Sequence, residues 1–324
     1  MEKINYSSYA LRLHSFQNQI GFENLKSEFL EKLGKISADG IVIVGMGGSG
    51  AAARLIQGSC EVLRLPFDIH ISKFPKISAH PFKRPFFIFV SFSGETKEVL
   101  EAYNSTKEPK AIVSGGGKLL ALALQNKIPY VSYTTKELTA RECLGYNYYS
   151  IIKVLSSLKG ISPTLSLPSI NTKSIENLGE SIANKIKNKK TVLIYTEEPF
   201  LHIGYIWKIV LNETAKQNAF LGSFPEISHN EIEALQTNGK EVAIVWIGNS
   251  KNKIVQKKRT GIISVLKTKK IDSVIIPFSG KTEEEQMWKS VLLAHFTSLS
   301  LAKLKHVKPE ETPFINQLKV KGAL

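Results

Sequence analysis

Two short segments of the sequence carry residue types and spacings suited to holding an anion. Gly45-Met46-Gly47-Gly48-Ser49-Gly50 follows the apolar run Ile41–Val44 and opens an alanine-rich stretch. Glycine lets the backbone turn sharply and approach a ligand with no Cβ in the way. The helix that follows offers free N–H groups and a favourable dipole to a negative charge. The second run, Phe86–Val90, ends in Ser91-Phe92-Ser93-Gly94-Glu95-Thr96. The hydroxyls of Ser91, Ser93 and Thr96 fall on one strand-to-helix turn, where short donors can cage phosphate oxygens. Parallel sheets bind ligands at the carboxyl ends of their strands, so both loops can face one crevice.

Gly45-x-Gly47-x-x-Gly50 also satisfies the dinucleotide-binding fingerprint. That reading needs an acidic residue at the tip of the next strand to hold a ribose hydroxyl. The candidate strand Phe67–Ile71 ends instead in Ser72-Lys73, with Asp68 inside it. No Lys-Ser/Thr pair follows the glycines, which excludes a P-loop. The third glycine cluster, Ser114-Gly115-Gly116-Gly117, reads as a structural turn before a helix.

These loops need elements to position them. Apolar runs bounded by turn residues read as buried parallel strands at Ile41–Val44, Phe67–Ile71, Pro85–Val90, Lys110–Val113 and Tyr130–Tyr133. Helical patterns at Ala51–Leu63, Thr96–Tyr103 and Lys118–Gln125 alternate with them, as in a doubly wound sheet. The same rhythm returns in the second half. Strands are expected there at Thr191–Tyr195, Val242–Ile247 and Ser273–Pro277, and helices at Ile203–Ala215, Gln256–Thr268 and Glu284–Leu304. Gly160–Ser174, rich in Ser, Pro and Thr, is the linker candidate. The expected division is residues 1–160 and 161–324, with residues 1–40 helical and without an assigned role.

The 324 residues suffice for two cores, with 43% hydrophobic residues and 22% charged. Two cysteines exclude a disulfide scaffold and a thiolate metal site, and no His pair has ligand spacing, so no metal is expected. The N-terminus has no signal-peptide pattern and no apolar stretch has the length of a bilayer span, which points to a cytoplasmic protein. The net charge of +15 is spread over scattered lysines without interleaved aromatics. It therefore points to steering of an anionic substrate rather than to nucleic acid.

Gly47-Gly48-Ser49 with Ser91-x-Ser93-Gly94-x-Thr96 resembles the phosphosugar signature of sugar-isomerase (SIS) domains. The resemblance implies a five-stranded parallel sheet between helices. It also implies phosphate contacts from Ser49, Ser91, Ser93 and Thr96, with backbone help from Gly47 and Gly48. Asn212-Glu213-Thr214-Ala215-Lys216 and Pro225-Glu226-Ile227-Ser228-His229-Asn230-Glu231-Ile232 extend the likeness to the bifunctional phosphoglucose/phosphomannose isomerases, a two-SIS-domain family. So does the closing stretch Thr312-Pro313…Leu318-Lys319.

Aldose–ketose isomerisation needs a base, a cation facing the enediolate and acid–base help in opening the ring. By resemblance, Glu213 is the base and Arg141, in Arg141-Glu142-Cys143-Leu144-Gly145, faces the enediolate. His229, contributed by the partner subunit of a homodimer, and Lys319 assist ring opening. Thr312 leaves room for C2–C3 rotation. The expectation is an α/β chain of two SIS-type doubly wound parallel-sheet domains with helices on both faces. It would act without cofactor on a phosphorylated hexose, converting glucose 6-phosphate and mannose 6-phosphate to fructose 6-phosphate. A SIS isomerase of another phosphosugar and a non-catalytic sugar-phosphate sensor are the alternatives.

Overall fold

The computed structural model describes residues 4–73, 80–134, 136–248 and 252–322. The chain divides into two compact units, Ser15–Leu167 and Met1–His14 with Pro168–Ala323. Helix α1 (Tyr6–His14) thus belongs with the second unit, against the expected division at residue 160. The reason is packing: α1 buries Tyr9 and Leu13, and the Tyr9 hydroxyl lies 3.3 Å from Thr214 Oγ1.

The N-terminal unit is a six-stranded sheet wrapped by helices. Its elements are β1 (Lys26–Glu28), β2 (Gly40–Gly45), α2 (Gly47–Gly58), β3 (Ile69–Ser72), β4 (Pro85–Ser91), α3 (Lys97–Ser105), β5 (Lys110–Ser114), α4 (Gly117–Gln125), β6 (Tyr130–Ser132) and α5 (Leu144–Leu155). The sheet order is β1-β6-β5-β4-β2-β3, antiparallel only at the β1 edge. Five parallel strands therefore stand between helices, as the resemblance implies. β2 and β4 are buried along their whole length, so apolar residues on both of their faces serve the core. One side of that core gathers Val42, Val44, Phe87, Phe89, Val99, Tyr103, Ile112 and Leu119. The first parallel strand, β2, lies between the second (β3) and the third (β4), which makes the β2/β4 gap the switch point. Strand β3 starts after Asp68 rather than enclosing it, and its tip still carries no carboxylate.

The second unit repeats the winding with α6 (Thr172–Ile186), β7 (Thr191–Glu197), α7 (Leu201–Ala215), β8 (Asn218–Phe224), α8 (Leu235–Asn238), β9 (Val242–Ile247), α9 (Lys253–Thr268), β10 (Asp272–Ile276), α10 (Glu283–Leu304) and α11 (Pro313–Val320). Its four described strands are parallel in the order β10-β9-β7-β8. The long α10 starts on a Thr282 cap with three acidic residues in its first turn and is buried over most of its length. Trp207 of α7 bonds Ser290 of α10 at 3.2 Å within that packing. Among the described residues no helix is long and apolar enough to cross a membrane.

Candidate active site

At the switch point of the N-terminal unit, β2 gives way to α2 after a single extended residue, Met46. Gly47, Gly48 and Ser49 thus form the first turn of α2, four residues earlier than its apolar pattern starts. Gly47 sits at φ +51, in the left-handed region that costs an L side chain about 1–2 kcal/mol. A Cβ on Gly50 would stand 2.5 Å from the Gly45 carbonyl oxygen, so helix and strand meet here at backbone distance. The free N–H groups of this turn point out at the carboxyl edge, beside the tip of β4.

The serine loop is fastened to the glycine loop. Phe92 N donates to Ser49 Oγ at 2.9 Å, and the Ser49 hydroxyl hydrogen remains to be donated. Ser91 Oγ lies 2.9 Å from Thr96 Oγ1 and accepts from Gly94 N at 3.0 Å. Ser93 Oγ accepts from Glu95 N at 3.2 Å, and its residue is exposed. Ser49 and Ser91 are buried. A third loop braces the second. Ser114 Oγ donates to the Ser91 carbonyl at 2.8 Å, and Leu119 N donates to the Gly94 carbonyl at 3.0 Å. Cβ atoms on Gly94 and Gly117 would fall 1.8 Å from Gly116 O and 2.2 Å from Ser93 O. The third glycine cluster is therefore the structural turn expected, and it holds the serine loop in place.

Glu95 is a carboxylate within the serine loop, and sequence reading assigns it no role. Its carboxylate turns to α4, accepting from Lys118 N at 2.9 Å with Lys118 Nζ at 3.5 Å. There it complements the positive end of α4.

Arg141 is buried, at 5% exposure, on the segment between β6 and α5. Its backbone abuts the glycine loop: a Cβ on Gly48 would stand 2.7 Å from both the Ala140 carbonyl carbon and oxygen, and 3.0 Å from Arg141 N. The six residues expected to contact a phosphate and the Arg141 backbone thus come together in one unit.

The acid–base candidates of the second unit do not all gather. Glu213 lies in the last turn of α7, partly exposed, at the amino edge of the sheet. Asn212 ties that turn to β8, bonding Ala219 O at 3.1 Å and Ala219 N at 3.2 Å. Thr214 ties it to α1 through Tyr9. Lys216, left-handed at φ 49, donates from Nζ to Glu213 O at 2.8 Å and to Lys308 O at 2.5 Å. This last bond brings the segment leading to Thr312 to the same edge. Lys319 is exposed on α11, a helix none of whose eight residues is buried.

His229 is exposed beyond the far end of β8, in a short 3-10 turn. Seven residues of β8 separate that edge from the start of the strand, about 20 Å at strand rise. Within this unit Glu213 and His229 stand at opposite edges of the sheet. The His229 turn is anchored inward: the Glu231 carboxylate faces the buried Tyr195 phenol, and each group's pKa is pushed up, mainly by burial. Gly222 makes the room, since a Cβ there would stand 2.9 Å from Glu231 Oε2.

Residues 175–321 match the family described as the bacterial phospho-glucose isomerase C-terminal SIS domain. That match covers a little under half of the chain. The chain is 28% identical over 291 residues to a bifunctional phosphoglucose/phosphomannose isomerase of Thermoplasma acidophilum, covering 86% of this chain and 88% of that one. It is 25% identical over 291 residues to the D-glucosamine-6-phosphate 4-epimerase of Sulfolobus acidocaldarius, covering 87% and 89%. In fold it is similar to the C-terminal domain of the glucosamine-fructose-6-phosphate aminotransferase of Francisella tularensis. That match has a TM-score of 0.65 at 14% identity, covering 96% of this chain and 99% of that domain. The second unit differs from the N-terminal unit at its own switch point, between β7 and β9. At the end of β7 the chain reads Glu197-Glu198-Pro199-Phe200, with no glycine. The Phe200 and Phe278 rings meet there at 4.6 Å.

Proposed function

We propose that the protein is an aldose–ketose isomerase of phosphorylated hexoses, interconverting glucose 6-phosphate and mannose 6-phosphate with fructose 6-phosphate through a cis-enediolate. The observation that carries the proposal is the bonded pair of loops at the β2/β4 switch point, a cradle of backbone N–H groups and hydroxyls. Gly47, Gly48, Ser49, Ser91, Ser93 and Thr96 hold the phosphate. The open-chain sugar then presents C1 and C2 to Glu213, which takes the proton from one carbon and returns it to the other. Arg141 stabilises the negative charge that develops on the enediolate oxygens. His229 and Lys319 move protons to and from the ring oxygen and the C1 hydroxyl during ring opening. The separation of Glu213 from His229 across β8 fits a homodimer in which each site takes Glu213 from one copy and His229 from its partner. Thr312 leaves space for rotation about C2–C3, so that both C2 epimers fit.

The test is turnover of fructose 6-phosphate with chelator present, reading glucose 6-phosphate and mannose 6-phosphate separately. Both products are expected, and Glu213→Gln is expected to lower kcat by about 10²–10⁴-fold with phosphate still bound. Near-normal turnover by Glu213→Gln would remove the base. A second reading, epimerisation of an amino-sugar phosphate, is favoured by the likeness to the Sulfolobus acidocaldarius epimerase. It predicts turnover of glucosamine 6-phosphate where fructose 6-phosphate is inert. Binding of fructose 6-phosphate with no turnover of either sugar would instead indicate a sensor.

A further inference from the structure

We propose that Gln19 is a positioning residue for Arg141, an inference that rests on the isomerase reading of Arg141 given above. Gln19 ends a 3-10 turn, Ser15–Gln19, in the stretch of chain to which sequence reading assigned no role. It is 4% exposed. Burying a primary amide costs free energy unless its hydrogen bonds are made. Gln19 makes them to one short segment. Its Nε2 donates to Glu142 O at 2.8 Å, and its Oε1 accepts from Tyr146 N at 3.3 Å. Tyr146 N belongs to the first turn of α5, whose N–H groups have no partner within the helix. Gly145 admits the side chain at backbone range, because a Cβ there would stand 2.6 Å from Gln19 Cβ.

The same turn is gripped from two further directions. The Glu142 carboxylate, buried, accepts from Thr139 N at 2.9 Å and from Thr139 Oγ1 at 2.8 Å, while Glu142 N donates to Thr139 O at 3.0 Å. The Ala140 carbonyl rests on Gly48 of the glycine loop. Arg141 is the residue between these holds. Gln19 thus fixes the turn through Glu142, the residue after Arg141, while Ala140, the residue before it, abuts the glycine loop. Its loss lets the guanidinium drift while the phosphate loops, which bond one another directly, keep their shape.

The experiment compares Gln19→Met, which keeps the volume and deletes both hydrogen bonds, with Arg141→Ala and the unaltered chain. Placement errors near 1 Å cost on the order of 10²-fold, so kcat of Gln19→Met should fall by about that factor, while KM and inorganic phosphate binding by calorimetry change less than about threefold. Unchanged kcat in folded Gln19→Met, with Arg141→Ala impaired, overturns the inference and leaves the isomerase reading standing. Loss of phosphate affinity in step with kcat also overturns it, since that marks a general structural role. Full activity in Arg141→Ala removes the reading of Arg141 itself. Should Gln19→Met fail to fold, Thr139→Val loosens the same turn from its other side. A fall in kcat at constant KM in that variant sustains the inference, and an unchanged kcat overturns it.

Discussion

Gly47 and Gly48 stand side by side for different reasons, and alanine should separate them. At Gly47 there is open space for a methyl group but a left-handed backbone, so Gly47→Ala should cost about 1–2 kcal/mol and distort the turn only locally. At Gly48 the backbone angle is ordinary but the methyl group meets the Ala140 carbonyl at 2.7 Å. Neither backbone can yield without moving the other, so Gly48→Ala should cost about 1–3 kcal/mol as overpacking and displace Arg141 as well. Urea midpoints and fructose 6-phosphate turnover on the two variants check this. The larger loss of kcat should fall on Gly48→Ala, and equal losses would mean that the Ala140 contact does not transmit. The sequence marked both glycines, because a strand running into Gly-x-Gly-Gly-Ser is a local pattern. It did not disclose Ala140, more than ninety residues away, since nothing local encodes a contact of that range. Glu95 escaped for the opposite reason: its partner is nearby in space, but a carboxylate in a serine-rich loop is chemically ambiguous until its direction is seen.

At the level of elements, His202 in the first turn of α7 reports on how the second sheet's carboxyl edge is sealed. Burial pushes its imidazole down to about 4. An unfolded chain takes up a proton on histidine near pH 6.5, whereas the folded one resists until about pH 4. The unfolded state therefore binds more protons between those values, and stability should be fully present above pH 6.5 and fall as the pH drops toward 4. Urea unfolding at pH 7 and pH 5 should show that loss, and His202→Gln should show less of it. An identical pH response in the variant would place the titration elsewhere.

Elements with an apolar run or an amphipathic stripe were readable, which covers β2, β4, β5, β9, α7 and α10. β8 was not. Its sequence Asn-Ala-Phe-Leu-Gly-Ser-Phe carries an internal glycine and an exposed Phe220, which disguise a strand. α5 was missed because no side-chain cap marks its start at Cys143. The residues of α1 pack with the second unit through contacts such as Tyr9 to Thr214, which leave no local trace in the sequence.

For the whole molecule, the distance along β8 makes a prediction that no single chain can satisfy. If Glu213 of one copy works with His229 of its partner, Glu213→Gln and His229→Ala chains should each be inactive alone. Mixed and allowed to exchange, they should regain activity, because one site of each mixed dimer has both residues. Absence of recovery, with exchange verified by mass, would confine each site to one copy. The +15 charge adds a salt dependence: kcat/KM for the phosphorylated sugar should decline as ionic strength rises, as steering is screened.

The two sheets are wound alike, yet their switch points differ in chemistry. Where the first has glycines and hydroxyls, the second has Glu197-Glu198-Pro199-Phe200, with two carboxylates and an aromatic pair at the same topological place. Carboxylates repel a phosphate. Counted by titration, a protein that duplicates its fold should therefore bind one phosphate per chain rather than two. On the proposed reading, the second copy of the architecture is free of the phosphate, and its surface is left to carry Glu213, His229 and Lys319.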